Sequence, residues 1–196
     1  MRKAFDVSNF WFPGPVGDDV ATDALASAKA LGYTRIIAGT QVPSVCWQQL
    51  SIAYTLGFAL EAYVQFSADK DVTQQFSDAR NAVDTLPIRI LWIAAEWPDN
   101  PAGYASLYKE AHAAARAHGF VKRGVYTNWD NWNRLMANTV EYRSLPLWYA
   151  NYDNVPYYDA PLWRVQGFGG WWKPAMKQHT ANVPLGNLQN VDLNAY

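Results

Sequence analysis

Short apolar runs alternate with stretches of helical spacing along most of the chain. Ala4 to Phe10 reads as a strand that the Pro13-Gly14-Pro15 turn ends. Asp19 to Leu31 has helical spacing and closes on Gly32, a common way for a helix to stop. The pattern then predicts a strand over Thr34 to Thr40, a helix over Ser44 to Leu56 closed by Gly57, and a strand over Phe58 to Phe66. A helix over Val72 to Val83 follows. Ile88 to Ala95 is a continuous apolar run, as in a strand covered on both faces. An alanine-rich helix over Pro101 to His118, a strand over Gly124 to Thr127 and a helix over Trp129 to Met136 complete this part. Beyond it the rhythm changes. Leu145 to Tyr152, Leu162 to Gln166, Ala175 to Thr180 and Val191 to Ala195 read as strands joined by loops.

Strand–helix alternation predicts a parallel sheet, and this many strands favours closure over an open sheet. The fold class is therefore α/β: an irregular TIM-like β/α barrel with few or no helices after the last three strands. A full eight-helix barrel takes ~250 residues, so a chain of 196 has to omit some outer helices. No linker, repeat or low-complexity stretch divides residues 1–196, which read as a single domain.

Composition removes several function classes. A net charge of −1 gives no broad basic field for nucleic acid. No apolar run approaches the ~20 residues of a membrane helix, so no membrane partner is expected. Asp6, Ser8 and Asn9 interrupt any apolar stretch behind Met1-Arg2-Lys3, so this start is not expected to be a secretory signal. Cys46, the one cysteine, permits neither an internal disulfide nor a cysteine-based zinc cluster, and a buried thiol is expected there. The spacing of His112, His118 and His179 fits no metal site, and neither metal nor cofactor is expected. His112 and His118 are expected on the solvent side or near the end of their helix, and His179 is a candidate to line the mouth through its neighbour Gln178. Gly167-Phe168-Gly169-Gly170 lacks the lysine–serine pair of a phosphate loop and suits a flexible loop edging a groove. Aromatic residues are the outlier at 15%, with ten tryptophans. Most such rings fill cores, yet Trp11, Trp97, Trp129, Trp132, Trp148, Trp171 and Trp172 fall in loops or at segment ends. Without basic charge beside them, exposed rings there suit sugars better than bases.

In a parallel barrel, chemistry gathers where the C-terminal strand ends converge on one mouth. Asp6 in the first strand, Glu96 at the end of the fourth and Asp192 in the closing segment fall near such positions. A carboxylate set in apolar sequence is costly to bury unless partnered or protonated. Glu96, between Ala95 and Trp97, either pairs with an arginine such as Arg35 or Arg89, or stays protonated as a general acid. Asp6 also reads as a cap or turn residue.

An ordered set of motifs then resembles the glycoside hydrolase family 25 lysozymes. It comprises Asp6-Val7-Ser8, Ile36-Ile37-Ala38-Gly39-Thr40, Tyr63, the Leu91-Trp92 run ending at Glu96, Tyr126-Thr127, Leu147-Trp148-Tyr149-Ala150, Gln178-His179-Thr180 and Val191-Asp192-Leu193-Asn194. The matches run in order over nearly the whole chain, and the family's barrel also loses helices toward its C-terminus. The resemblance implies a muramidase acting on peptidoglycan glycan strands of the bacterial cell wall, at the β-1,4 bond between N-acetylmuramic acid and N-acetylglucosamine. It implies Glu96 as proton donor, with Asp6 and Asp192 lining the pocket. Tyr63 and Trp148 would form its walls, and Gln178 and Trp97 would contribute to substrate binding.

The chain departs from that pattern where the family has Asp-x-Glu. The first acid is replaced by Ala94, and a methyl group is neither nucleophile, base nor electrostatic partner. A well-placed electrostatic group is worth about 3–4 kcal/mol, or about 100- to 1000-fold in rate. Ala38 stands where relatives often carry lysine, and Val64-Gln65 where they often have histidine. Three readings stay open: a muramidase that recruits Asp6 or Asp192, a barrel without catalysis that binds cell wall or builds a phage particle, or an active enzyme altered at Ala94. The resemblance leaves oligomeric state and source open.

Overall fold

The computed structural model describes residues 1–8, 17–96, 103–158 and 167–196. Within them the chain runs β1 (Lys3–Val7), α1 (Asp18–Ala30), β2 (Tyr33–Gly39), α2 (Pro43–Thr55), β3 (Ala59–Val64), α3 (Val72–Val83) and β4 (Leu91–Ala94). It continues through α4 (Tyr104–Ala117), β5 (Arg123–Thr127), α5 (Trp129–Met136), β6 (Leu147–Ala150), β7 (Met176–Leu185) and β8 (Leu188–Ala195). The strands close into a barrel in chain order. Among the described residues no helix follows β6, as the sequence pattern predicts.

The sheet is not wholly parallel. β1 to β7 pair in parallel with their chain neighbours, whereas β8 is antiparallel to both β7 and β1. The cause is local: Leu185 pairs with Leu188, so only Gly186 and Asn187 connect the two strands. A parallel crossover needs roughly a dozen residues, and two residues allow only a hairpin. Gly186 takes φ 59°, a turn conformation that glycine adopts without a Cβ clash. The strand expected over Leu162 to Gln166 lies outside the described residues.

Strand alternation sorts side chains into two cores. Phe5, Ile36, Leu60, Ile93, Val125 and Leu147 face outward and pack with the helices. Ala4, Ile37, Trp92, Ala94, Tyr126, Trp148 and Met176 fill the barrel. Below them Glu61, 1% exposed, accepts from Trp92 Nε1 at 2.6 Å and pairs with Arg35 at 2.8 Å. The Arg35 guanidinium in turn lies 3.7 Å from the Tyr196 ring centroid, closing that end of the barrel. Arg35 is thus spent on Glu61.

Several aromatic expectations are corrected outside the barrel. Trp132 and Trp171 are buried, not sugar platforms: they pack edge to face with centroids 4.9 Å apart, and Trp132 also meets Tyr108 and Tyr142. His112 joins this cluster, 4.9 Å from both Tyr108 and Tyr142, so it is not on the solvent side. Its spacing from Tyr104 and Tyr108 puts all three on one face, which the surrounding alanines concealed. Phe168 is buried against Trp171 and Tyr149, so the glycine-rich segment is packed down at that residue. Trp129 and Trp172 are exposed, and Cys46 is buried.

Candidate active site

The C-terminal ends of β1, β3, β4, β5 and β6 meet residues of the β7–β8 hairpin around a pocket of about 180 Å³. Asp6, Ser8, Tyr63, Gln65, Glu96, Tyr126, Trp148, Gln178, Asn182, Asn190 and Asp192 line it. The pairs Asp6/Ser8 and Tyr63/Gln65 are two residues apart, so each pair shares the inward face of its strand. Gly39 gives Tyr63 its room, since a Cβ there would stand 2.8 Å from the tyrosine hydroxyl. Trp148 forms the floor. It is 1% exposed, lies 4.3 Å from the Tyr126 centroid and 5.8 Å from that of Trp92, and donates Nε1 to Asn194 Oδ1 at 2.7 Å.

Two carboxyls are forced together by register. Asp6 and Asp192 are direct partners across the antiparallel β1–β8 pair, a placement that two like charges oppose. Donors offset the repulsion. Gln178 Nε2 donates to Asp6 Oδ2 and to Asp192 Oδ2, each at 2.9 Å. Asn194 Nδ2 donates to Asp6 Oδ2 at 2.7 Å, and the Asn182 backbone N–H to Asp192 Oδ1 at 2.7 Å. Burial, then the neighbouring Asp192 charge, holds Asp6 well above the usual carboxylate range against the pull of Asn194 and Gln178. Burial raises Asp192 as well, opposed by the Asn182 N–H. One proton shared by two such carboxyls is the arrangement that relieves the repulsion.

Glu96 sits at the far side of this pair. Burial pushes its carboxyl up to about 7; a hydrogen bond with Tyr126 opposes the rise and the Asp192 charge adds to it. The strand end beneath it is fixed from α4. The Tyr104 hydroxyl donates to Ala94 O at 3.2 Å and accepts from the Glu96 backbone N–H, while Tyr108 donates to Ile93 O at 2.9 Å. Among the described residues Glu96 has no ion-pair partner, neither Arg35 nor Arg89. Ala94 points into the barrel core, 2% exposed and paired in register with Tyr126.

Glu96, Asp6, Asp192, Tyr63, Trp148 and Gln178 therefore share one pocket, while Trp97 lies outside the described residues. His179 is not among the lining side chains; its Nδ1 lies 2.8 Å from Thr180 Oγ1. Sequence reasoning gave no site role to Tyr126, Asn194, Asn182 or Tyr152. Tyr126 ends a strand beside Thr127, and Asn194 stands two residues after Asp192 on the same face, so alternation carried a signal for both. Asn182 and Tyr152 carried none, because they depend on how the hairpin and the β6–β7 loop fold back. Among the described residues no three or more of His, Cys, Asp and Glu are grouped to hold a metal ion.

Comparison with known proteins gives this pocket a lineage. A family model described as Lysozyme-like protein 1 matches residues 20–179. Counting factor 50 of Dictyostelium discoideum is 35% identical over 117 residues, covering 58% of this chain and 37% of that protein. "Probable GH family 25 lysozyme 3" of the same organism is 27% identical over 164 residues, covering 79% and 32% respectively. The chain thus spans about a third of the length of these curated relatives. A muramidase structure from Acremonium alcalophilum superposes with a TM-score of 0.74 over 100% of this chain and 93% of that one, at 18% identity, a likeness of fold. The chain belongs to the Lysozyme-like protein 1 family, and a probable glycoside hydrolase family 25 lysozyme is among its relatives.

Proposed function

We propose that this chain is a peptidoglycan hydrolase, a muramidase that cleaves the β-1,4 bond between N-acetylmuramic acid and N-acetylglucosamine in the bacterial cell wall. The observation that carries the reading is a carboxyl, Glu96, held up to about 7 in the same pocket as two further carboxyls. A carboxyl that keeps its proton near neutral pH donates it to the glycosidic oxygen as the C1–O bond breaks. The sugar ring then carries positive charge, which the Asp6–Asp192 pair opposes with its shared negative charge. Water adds at C1 and returns a proton to Glu96, completing hydrolysis. Tyr63 and Trp148 form the pocket's apolar wall and floor.

Ala94 favours a second reading, a barrel that binds cell wall without cleaving it. It removes the acid two residues before Glu96, on the same face. Clearance of a purified wall suspension separates the two readings. The muramidase reading expects lysis by the chain, loss of about 100-fold or more in Glu96→Gln, and faster lysis in Ala94→Asp. Wall binding without lysis by the chain or by Ala94→Asp establishes the binding module. Lysis that survives Glu96→Gln removes Glu96 from the acid role.

A further inference from the structure

Gln178 is 1% exposed, and its side chain has no free hydrogen-bonding position. A primary amide offers two N–H donors and two acceptor lone pairs. The donors go to Asp6 Oδ2 and Asp192 Oδ2, at 2.9 Å each. The acceptor positions take the hydroxyls of Tyr126 and Tyr152, at 2.8 Å each. These partners fix which way round the amide lies. A flipped amide would turn its oxygen onto two carboxyls, whereas the observed orientation satisfies all four contacts. A group so occupied has nothing left for a sugar hydroxyl.

The bond directions extend to Glu96. A tyrosine has one hydroxyl hydrogen. Gln178 Oε1 and the Glu96 carboxylate, in the same pocket, compete for that one hydrogen, and while Tyr126 gives it to Gln178 it is withheld from the carboxylate that it would otherwise stabilise. Were Tyr126 released from Gln178, its hydrogen would turn to Glu96 and favour the carboxylate. We propose that Gln178 is the positioning residue of this site: it clamps Asp6 beside Asp192 through its N–H groups and, through Tyr126, keeps the proton on Glu96. With Ala94 offering no carboxylate, the clamp presents Asp192 as the charged group that serves beside Glu96. Both carboxyls feel Glu96, but Asp192 is the less buried of the pair, whereas Asp6 receives both of its side-chain donors on one oxygen deep in the barrel.

The kinetic part of this inference rests on the muramidase reading; the electrostatic part does not. Carboxyl NMR titration of the chain and of Gln178→Met tests the latter directly. The expected result is a pair of shifts in opposite directions. Asp6 and Asp192 lose a shared donor and titrate about one unit higher, while Glu96 gains the freed Tyr126 hydroxyl and titrates lower. A residue that merely fills space would not shift the two groups oppositely. Gln178→Glu keeps acceptors for both tyrosines at the same chain length and covers the case in which Gln178→Met does not fold. In it Asp6 and Asp192 still rise, and Glu96 does not fall. Unchanged Asp6 and Asp192 steps in every folded variant overturn the clamp, whether or not the chain lyses walls.

In lysis kinetics Gln178→Met is expected to lower kcat roughly 10- to 100-fold with KM little changed, and Asp192→Asn to cost more than Asp6→Asn. A raised KM with kcat intact would make Gln178 a sugar contact instead, and a greater loss in Asp6→Asn would give the charged role to Asp6. If the chain lyses nothing under any condition, the muramidase reading fails alone, and the titrations still decide the clamp.

Discussion

His112 and Glu96 are both buried ionisable groups, and burial acts on them in opposite senses. The His112 imidazole sits against Tyr108 and Tyr142, its Nε2 has no hydrogen-bond partner among the described residues, and burial followed by the Arg123 charge lowers it to about 3. A depressed histidine is neutral in the fold and charged in the unfolded chain below its ordinary 6.5. Its contribution is complete above pH 6.5 and is lost as the pH falls from there toward about 3. Urea unfolding followed across that window is expected to show steep acid loss in the chain and a shallower loss in His112→Phe, which keeps an aromatic ring but cannot titrate. Equal slopes would take His112 out of the acid response. At this scale the sequence was partly legible: an acid closing an apolar run marked Glu96, whereas an alanine-rich helix gave His112 no distinguishing face.

Adjacent residues of β7 serve opposite sides of their strand. Gln178 turns into the pocket, and Lys177 turns to the β6–β7 loop, where Nζ reaches Asp153 at 2.6 Å, Val155 O at 3.0 Å and Tyr157 O at 3.1 Å. Lys177 is 4% exposed, so its charge has few partners beyond these. Burial would raise Asp153, but the Lys177 hydrogen bond and charge, with the Val155 N–H, prevail and hold it below the usual carboxylate range. The same loop carries Tyr152, which reaches Gln178. Replacing Lys177 with methionine leaves those acceptors without a donor and is expected to cost about 1–3 kcal/mol. Hydrogen exchange should then accelerate over residues 151–158 ahead of the barrel strands; uniform exchange would deny the lysine a local role. The hairpin itself was readable only in part. Alternating apolar positions gave Ala175 to Thr180 and Val191 to Ala195, but the Gly186-Asn187 link, which reverses the last strand, is a two-residue turn signal that the helix-strand rhythm masked.

Barrel closure joins these elements into one site. β8 brings Asp192 opposite Asp6 from the two ends of the chain, and no local pattern in sequence states that pairing. Closure, strand alternation and the loss of late helices did follow from periodicity and length, because they depend on which face each strand must bury. The opposite end of the barrel shows the same dependence on closure, through Glu61, Arg35 and Tyr196. Glu61→Leu would leave Arg35, 15% exposed, without its counter-charge, and a loss of about 3–5 kcal/mol in equilibrium unfolding is expected. A neutral result would mean that the pair is dispensable to the barrel. The central claim concerns the other end: Glu96 gives up its proton during sugar cleavage. Its raised value places the protonated form below about 7 and removes it above. The measurement that bears on it most directly is the release of reducing ends from purified peptidoglycan as a function of pH, by the chain and by Glu96→Gln. The account predicts a rate that falls tenfold per pH unit above about 7 in the chain and is lost in the variant. A rate that holds or rises well past that pH, or that persists in Glu96→Gln, would contradict it.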